Sequence, residues 1–248
     1  MSIEELIKET CEDLINLYKK QAEVPFQRIN TSLIFPRYRK TDQPPSSENT
    51  QQKNTPPSLR VSEQEARFCF AAAVERGKDF CYSVETPTLE TYSFTDGGGK
   101  ISAQTDLTLW NLDEKTKEFN IEFKAHNPEQ YGVGKDIEKL VKESTKGVWF
   151  HLFENNFQDT FPTLAKKFLL ALLDPKINGL RKRDLLFAVC VLKKGRCIIG
   201  SLPASVKSQE AIMTFFEEGQ QALTNPGSFQ GKLWKVLVNN VEEPDSKK

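Results

Sequence analysis

Residues 101–125 read ISAQTDLTLWNLDEKTKEFNIEFKA, two runs of alternating apolar and polar residues on either side of Asp113-Glu114-Lys115. That pattern predicts a β-hairpin with its turn over 112–116. Antiparallel pairing about this turn sets Leu107 opposite Ile121, Leu109 opposite Phe119, Thr105 opposite Phe123 and Asp106 opposite Glu122. Because side chains alternate along a strand, Ile101, Ala103, Leu107, Leu109, Phe119, Ile121, Phe123 and Ala125 share one face. That face is almost wholly apolar and has to be buried. Gln104, Asp106, Thr108, Asn120, Glu122, Lys124 and His126 occupy the other. A slip of one residue would mix the two sets, so the pairing is well specified.

Directly opposed Cβ atoms lie about 4.5–5.5 Å apart in such a ladder, so Asp106 and Glu122 repel unless a positive charge lies between them. Oxygen donors favour Mg²⁺ (or Mn²⁺), and Mg²⁺ takes few protein carboxylates and keeps several waters. Lys124 shares the face and reaches the same spot. There it has two available roles: stabilising charge that develops on a phosphate, or helping to deprotonate an attacking water. The competing reading is an ordinary solvated hairpin face with scattered charges.

Working outward, residues 3–22 carry apolar side chains at helical spacing, and a second helix is expected over 62–76, with Ser62 as its N-cap and Gly77 as its stop. Strands are expected over 80–84, 91–95, 148–153, 185–192, 197–202 and 233–238, and helices over 135–144, 161–173 and 207–218. Gly97-Gly98-Gly99 marks a turn. The segment 41–57, TDQPPSSENTQQKNTPP, has no aromatic or aliphatic residue and reads as a flexible polar linker or loop. The expected organisation is an N-terminal helical segment (1–40), the linker (41–57) and one larger domain (58–248). The fold class is α/β, a mixed central sheet flanked by helices.

An acidic residue on one strand, followed by Glu122-Phe123-Lys124 on its neighbour, resembles the PD-(D/E)xK nuclease superfamily, with Thr105 where the motif's name has Pro. The resemblance covers about residues 61–153 and implies a restriction-endonuclease-like core, α-β-β-β-α-β, with N- and C-terminal additions. It further implies Asp106, Glu122 and the backbone carbonyl of Phe123 as metal ligands, with Lys124 assisting water attack on a phosphodiester. The expected function is a metal-dependent DNA endonuclease of restriction or defence type, a homodimer if both strands are cut together. The alternative is a catalytically inactive nuclease-like fold that binds nucleic acid or protein. The resemblance also implies an acidic residue from the first helix. Glu65 is expected there because it shares the apolar side of its helix, although Ser62-x-x-Glu65 is equally a capping box. Lys135 and Lys139 are candidate contacts to a nucleic-acid backbone, and His126 a candidate at the rim of the site.

Composition narrows the field without naming a function. The chain has 34 basic and 34 acidic side chains, which argues against non-specific coating of nucleic acid but allows a local basic groove. Its five cysteines form no CxxC pair, against a zinc or iron–sulfur site. The acidic, amphipathic start does not resemble a signal peptide, and there is no long apolar run, so a cytoplasmic protein with no membrane partner is expected.

Overall fold

The structure, a computed structural model, describes residues 1–23, 33–36, 59–92, 101–155 and 159–240. The expected linker at 41–57 and the glycine turn at 97–99 lie outside the described residues. Strands β1 (Cys81–Tyr92), β2 (Ile101–Trp110), β3 (Lys117–Ala125), β4 (Lys146–Phe153), β5 (Leu185–Val191), β6 (Arg196–Leu202) and β7 (Trp234–Asn239) form one sheet, in chain order from edge to edge. The helices are α1 (Ile3–Glu23), α2 (Glu63–Gly77), α3 (Gln130–Lys142), α4 (Thr160–Leu173), α5 (Pro175–Asn178) and α6 (Gln209–Thr224).

The sheet is mixed, for a reason that lies in the connections. A tight turn joins β2 to β3, so they are antiparallel. Helix α3 returns the chain between β3 and β4, and α4 with α5 does so between β4 and β5, so both pairs are parallel. The pairs β1–β2, β5–β6 and β6–β7 are antiparallel.

Helices cover both faces. On one, Leu6, Ile7 and Leu14 of α1 and Phe70 and Ala73 of α2 pack with Leu107, Leu109, Ile121, Phe123 and Phe150. On the other, α3, α4 and α6 bring Ile137, Leu140, Phe168, Phe215 and Phe216 against Trp149, Phe187 and Val189. The central parallel strand β4 therefore has no polar side to show, which is why Val148–Phe153 is a nearly unbroken apolar run. The double cover bears on the competing reading of a solvated hairpin face. Thr108, Asn120 and Glu122 are buried, and the Thr108 hydroxyl donates to Asn120 Oδ1 at 3.0 Å, whereas Gln104 and His126 of the same face are exposed.

Two elements differ from expectation in ways that shape the site. Helix α3 begins at Gln130, not near 135. Its approach to the sheet depends on Gly147, where a Cβ would stand 2.8 Å from Leu185 and 2.9 Å from Leu140. Strand β1 is a single long edge strand that runs through Pro87, with a bulge between Pro87 and Thr91. There the buried carboxylate of Glu143 accepts the N–H groups of Leu89 and Glu90 and the hydroxyl of Tyr92. Among the described residues no helix is long and apolar enough to cross a membrane.

Candidate active site

The backbone pairs Leu107–Ile121, Thr108–Asn120 and Leu109–Phe119 form as the hairpin pattern predicts. One step further the ladder gives way to a side chain. Oδ2 of Asp106 accepts the Phe123 N–H at 2.8 Å, so the carboxylate itself takes the place of a strand partner. Its other oxygen, Oδ1, receives Arg67 of α2 at 2.8 Å, and Arg67 also stands 3.9 Å from Glu85.

Glu122 lies deeper, with 1% of its surface exposed. Lys139 of α3 brings its ammonium to 2.6 Å from Oε1. That contact is an ion pair without hydrogen-bond geometry, so both oxygens are buried without a hydrogen bond, and Oε2 lies on the side away from this pairing. Burial pushes the Glu122 carboxyl up to about 8; Asp136 and Asp106 add to this, and Lys139 opposes them. Asp136 joins the two lysines: Oδ2 pairs with Lys124 at 2.9 Å and Oδ1 with Lys139 at 2.8 Å. Burial works against the charge on Lys124, but Asp136, Asp106 and Glu122 outweigh it and hold the ammonium above its ordinary pKa.

Asp106, Glu122 and Lys124 thus belong to one electrostatic cluster, and α2 and α3 add Arg67, Asp136 and Lys139 to it. Neither Arg67 nor Asp136 stood out in the sequence. Asp136 left a signal: the buried side chains of α3 include Val133, Asp136, Ile137, Leu140 and Val141, a helical stripe that one acidic residue interrupts. A carboxylate on such a stripe needs a partner. Arg67 left a weaker one, as the cation one turn after Glu63.

Other candidates are placed differently. Glu65 is held as a cap, its Oε2 accepting both the N–H (3.0 Å) and the hydroxyl (2.6 Å) of Ser62. The acidic residue of α2 that feels the cluster is Glu63. Burial raises its carboxyl, Lys124 and Arg67 pull it down, and Asp106 and Asp136 push it up. Lys139, expected at a surface, is 5% exposed and occupied by carboxylates. Lys135 is half-buried at the wall of a cleft of about 420 Å³ that also includes Glu85, Pro87, Gln104 and Asp106. His126 is pinned rather than free, its Nε2 2.6 Å from the Val61 carbonyl.

A metal ion here would rest on few protein ligands. Among the described residues no group of three or more His, Cys, Asp or Glu side chains is arranged to hold one. The donors still suit Mg²⁺ or Mn²⁺, because one or two carboxylates and several waters satisfy Mg²⁺. The buried, unpartnered Oε2 of Glu122 is the observation that fits such an ion, with Asp106 and the Phe123 carbonyl as the further oxygens. No protein-family model, curated protein or solved structure matches the chain.

Proposed function

We propose that the protein is a metal-dependent nuclease that hydrolyses phosphodiester bonds, with DNA as substrate, in the manner of restriction or defence endonucleases. The observation that carries this reading is the buried carboxylate of Glu122, without hydrogen bonds at either oxygen, in the electrostatic field of Asp106 and ion-paired with Lys139, which shares Asp136 with Lys124. The order α2-β1-β2-β3-α3-β4 supports it, being that of a restriction-endonuclease-like core.

Bound Mg²⁺ or Mn²⁺ would polarise a phosphate and lower the pKa of a coordinated water. Asp106 and Glu122 would hold the ion, with the Phe123 carbonyl as a further donor. The Phe123 N–H and Arg67 fix the Asp106 carboxylate in orientation. Lys124 remains an ammonium among three carboxylates, which favours stabilising negative charge over taking a proton from water. The cleft beside Asp106, walled by Lys135, gives the substrate backbone an approach.

One observation favours a second reading, a catalytically inactive module that binds nucleic acid or protein. Asp106 already faces Arg67, and Glu122 and Asp136 already face Lys139. The test is a panel of single- and double-stranded DNA and RNA, with Mg²⁺, Mn²⁺ or EDTA. Wild type should cleave only with metal, and Asp106→Asn and Lys124→Ala should each lose about 100-fold or more. Retention of a nucleic acid without cleavage under any condition would decide for the second reading. Unchanged cleavage by either folded variant would remove that residue from the site.

A further inference from the structure

The ammonium of Lys139 has three N–H donors and three oxygens around it. They are Glu122 Oε1 at 2.6 Å, Asp136 Oδ1 at 2.8 Å and the Gln104 carbonyl at 2.9 Å. They come from three elements, β3, α3 and β2, and two are carboxylate oxygens. Such a set is what a hard cation collects. With Lys139 buried, little water shares the charge. Elsewhere on α3 a lysine behaves otherwise: Lys142 pairs with Glu138 on its own helix and is more exposed. Lys139 pairs with Asp136 of its own helix but also reaches the sheet, and the acidic residue one turn after it, Glu143, is engaged with β1.

We infer that Lys139 is a built-in counter-ion that competes with the divalent cation for Glu122, so that metal binding requires its ammonium to withdraw. The inference rests on the metal-dependent reading above. Two cations on one buried carboxylate repel strongly, since the surroundings screen them poorly. The pairing with Asp136 gives the ammonium somewhere to remain, because that partner lies on its own helix and the contact need not break when Glu122 is released. Without metal, Lys139 neutralises a carboxylate that would otherwise be costly to bury. It thereby sets a threshold of cation concentration below which the site stays closed to metal.

Two measurements on the full chain test this. In the first, Mn²⁺ is titrated into wild type, Lys139→Gln and Glu122→Gln, and the free ion is followed by electron paramagnetic resonance. Lys139→Gln should bind about ten-fold tighter than wild type or better, and Glu122→Gln more weakly. The second uses wild type alone, so it does not depend on a variant folding. An amine-acetylating reagent is applied with and without Mg²⁺, and modified lysines are mapped by mass spectrometry. Acetylation of Lys139 should rise several-fold with Mg²⁺ while that of Lys142 stays constant. Equal or weaker Mn²⁺ binding by folded Lys139→Gln, or acetylation of Lys139 indifferent to Mg²⁺, overturns the competition and leaves the metal site standing. Absence of Mn²⁺ binding by wild type removes both.

Discussion

Glu63 and Glu65 stand on the same helical turn and do different work. Glu65 completes a capping box with Ser62, so Glu65→Gln keeps an oxygen for the Ser62 N–H and should fold with near-native stability. It should also retain its Mg²⁺-dependent cleavage, whereas Glu63→Gln, which alters the charge beside Asp106 and Lys124, should change it. Loss of cleavage in Glu65→Gln, with stability intact, would return Glu65 to the site. His151 offers a second test, independent of activity. Its Nε2 donates to the His126 carbonyl and its Nδ1 accepts the Trp149 indole N–H, so the buried ring is neutral with one tautomer fixed. Protonation would set a donor against a donor. Burial pushes its pKa down to about 3, below the unfolded value near 6.5. The unfolded chain therefore takes the proton first. The stabilisation is whole above about pH 6.5 and is lost as pH falls toward 3, by up to about 1.4 kcal/mol per unit. Urea unfolding between pH 7 and 4 should thus show a shallower decline for His151→Gln than for wild type. Parallel declines would mean that His151 is not neutral in the fold.

At the scale of elements, the hairpin was the most legible part of the sequence because two constraints coincide in it. Its turn residues fix the loop and its alternation fixes the pairing; Leu107–Ile121 and Leu109–Phe119 pair accordingly. The partners of the site were less legible because they depend on how α2 and α3 dock. Lys139 looks like any surface lysine until Gly147 is seen to let α3 lie close on β4. Strand β1 is less legible as one piece because Pro87 lies inside it and proline usually interrupts a strand; an edge strand tolerates it, and Glu143 supplies the acceptors that the bulge needs. The early start of α3 was hidden by Gly132 and Gly134, both poor helix formers. Neither has anything within 4 Å of where a Cβ would lie, so neither glycine is required by packing. Gly134→Ala should stabilise the protein by about 0.5–1 kcal/mol in urea unfolding. Gly147→Ala should do the reverse, and it should lower Mg²⁺-dependent cleavage as α3 is pushed off the sheet. A neutral Gly147→Ala would show that α3 has room to shift.

At the scale of the molecule, the sequence suggested that an N-terminal segment precedes the main domain, yet α1 lies in the same core as the sheet. Leu6, Ile7, Cys11, Leu14 and Ile15 are at most 1% exposed, and they share a cluster with Cys197, Ile199 and Val238 of the last two strands. Burying a large aliphatic side chain is worth about 1.5–3 kcal/mol. Burial of these side chains thus favours docking of the helix by roughly 10 kcal/mol before the entropy cost of ordering it is subtracted. Polar ties accompany this packing: Tyr18 donates to Glu154 at 2.8 Å, and Arg76 of α2 pairs with Asp13 at 2.6 Å. The N-terminal helix and the sheet should therefore behave as one cooperative unit even when the chain between them is cut. A specific protease site placed within 41–57 makes this measurable. After cleavage the two fragments should co-elute in native buffer, unfold together in a single transition and separate only in denaturant. A truncated chain lacking residues 1–40 should expose the apolar face beneath α1 and aggregate. If the fragments part in native buffer, or the shortened chain stays monomeric with its melting temperature unchanged, α1 is an accessory and the sheet closes its core without it.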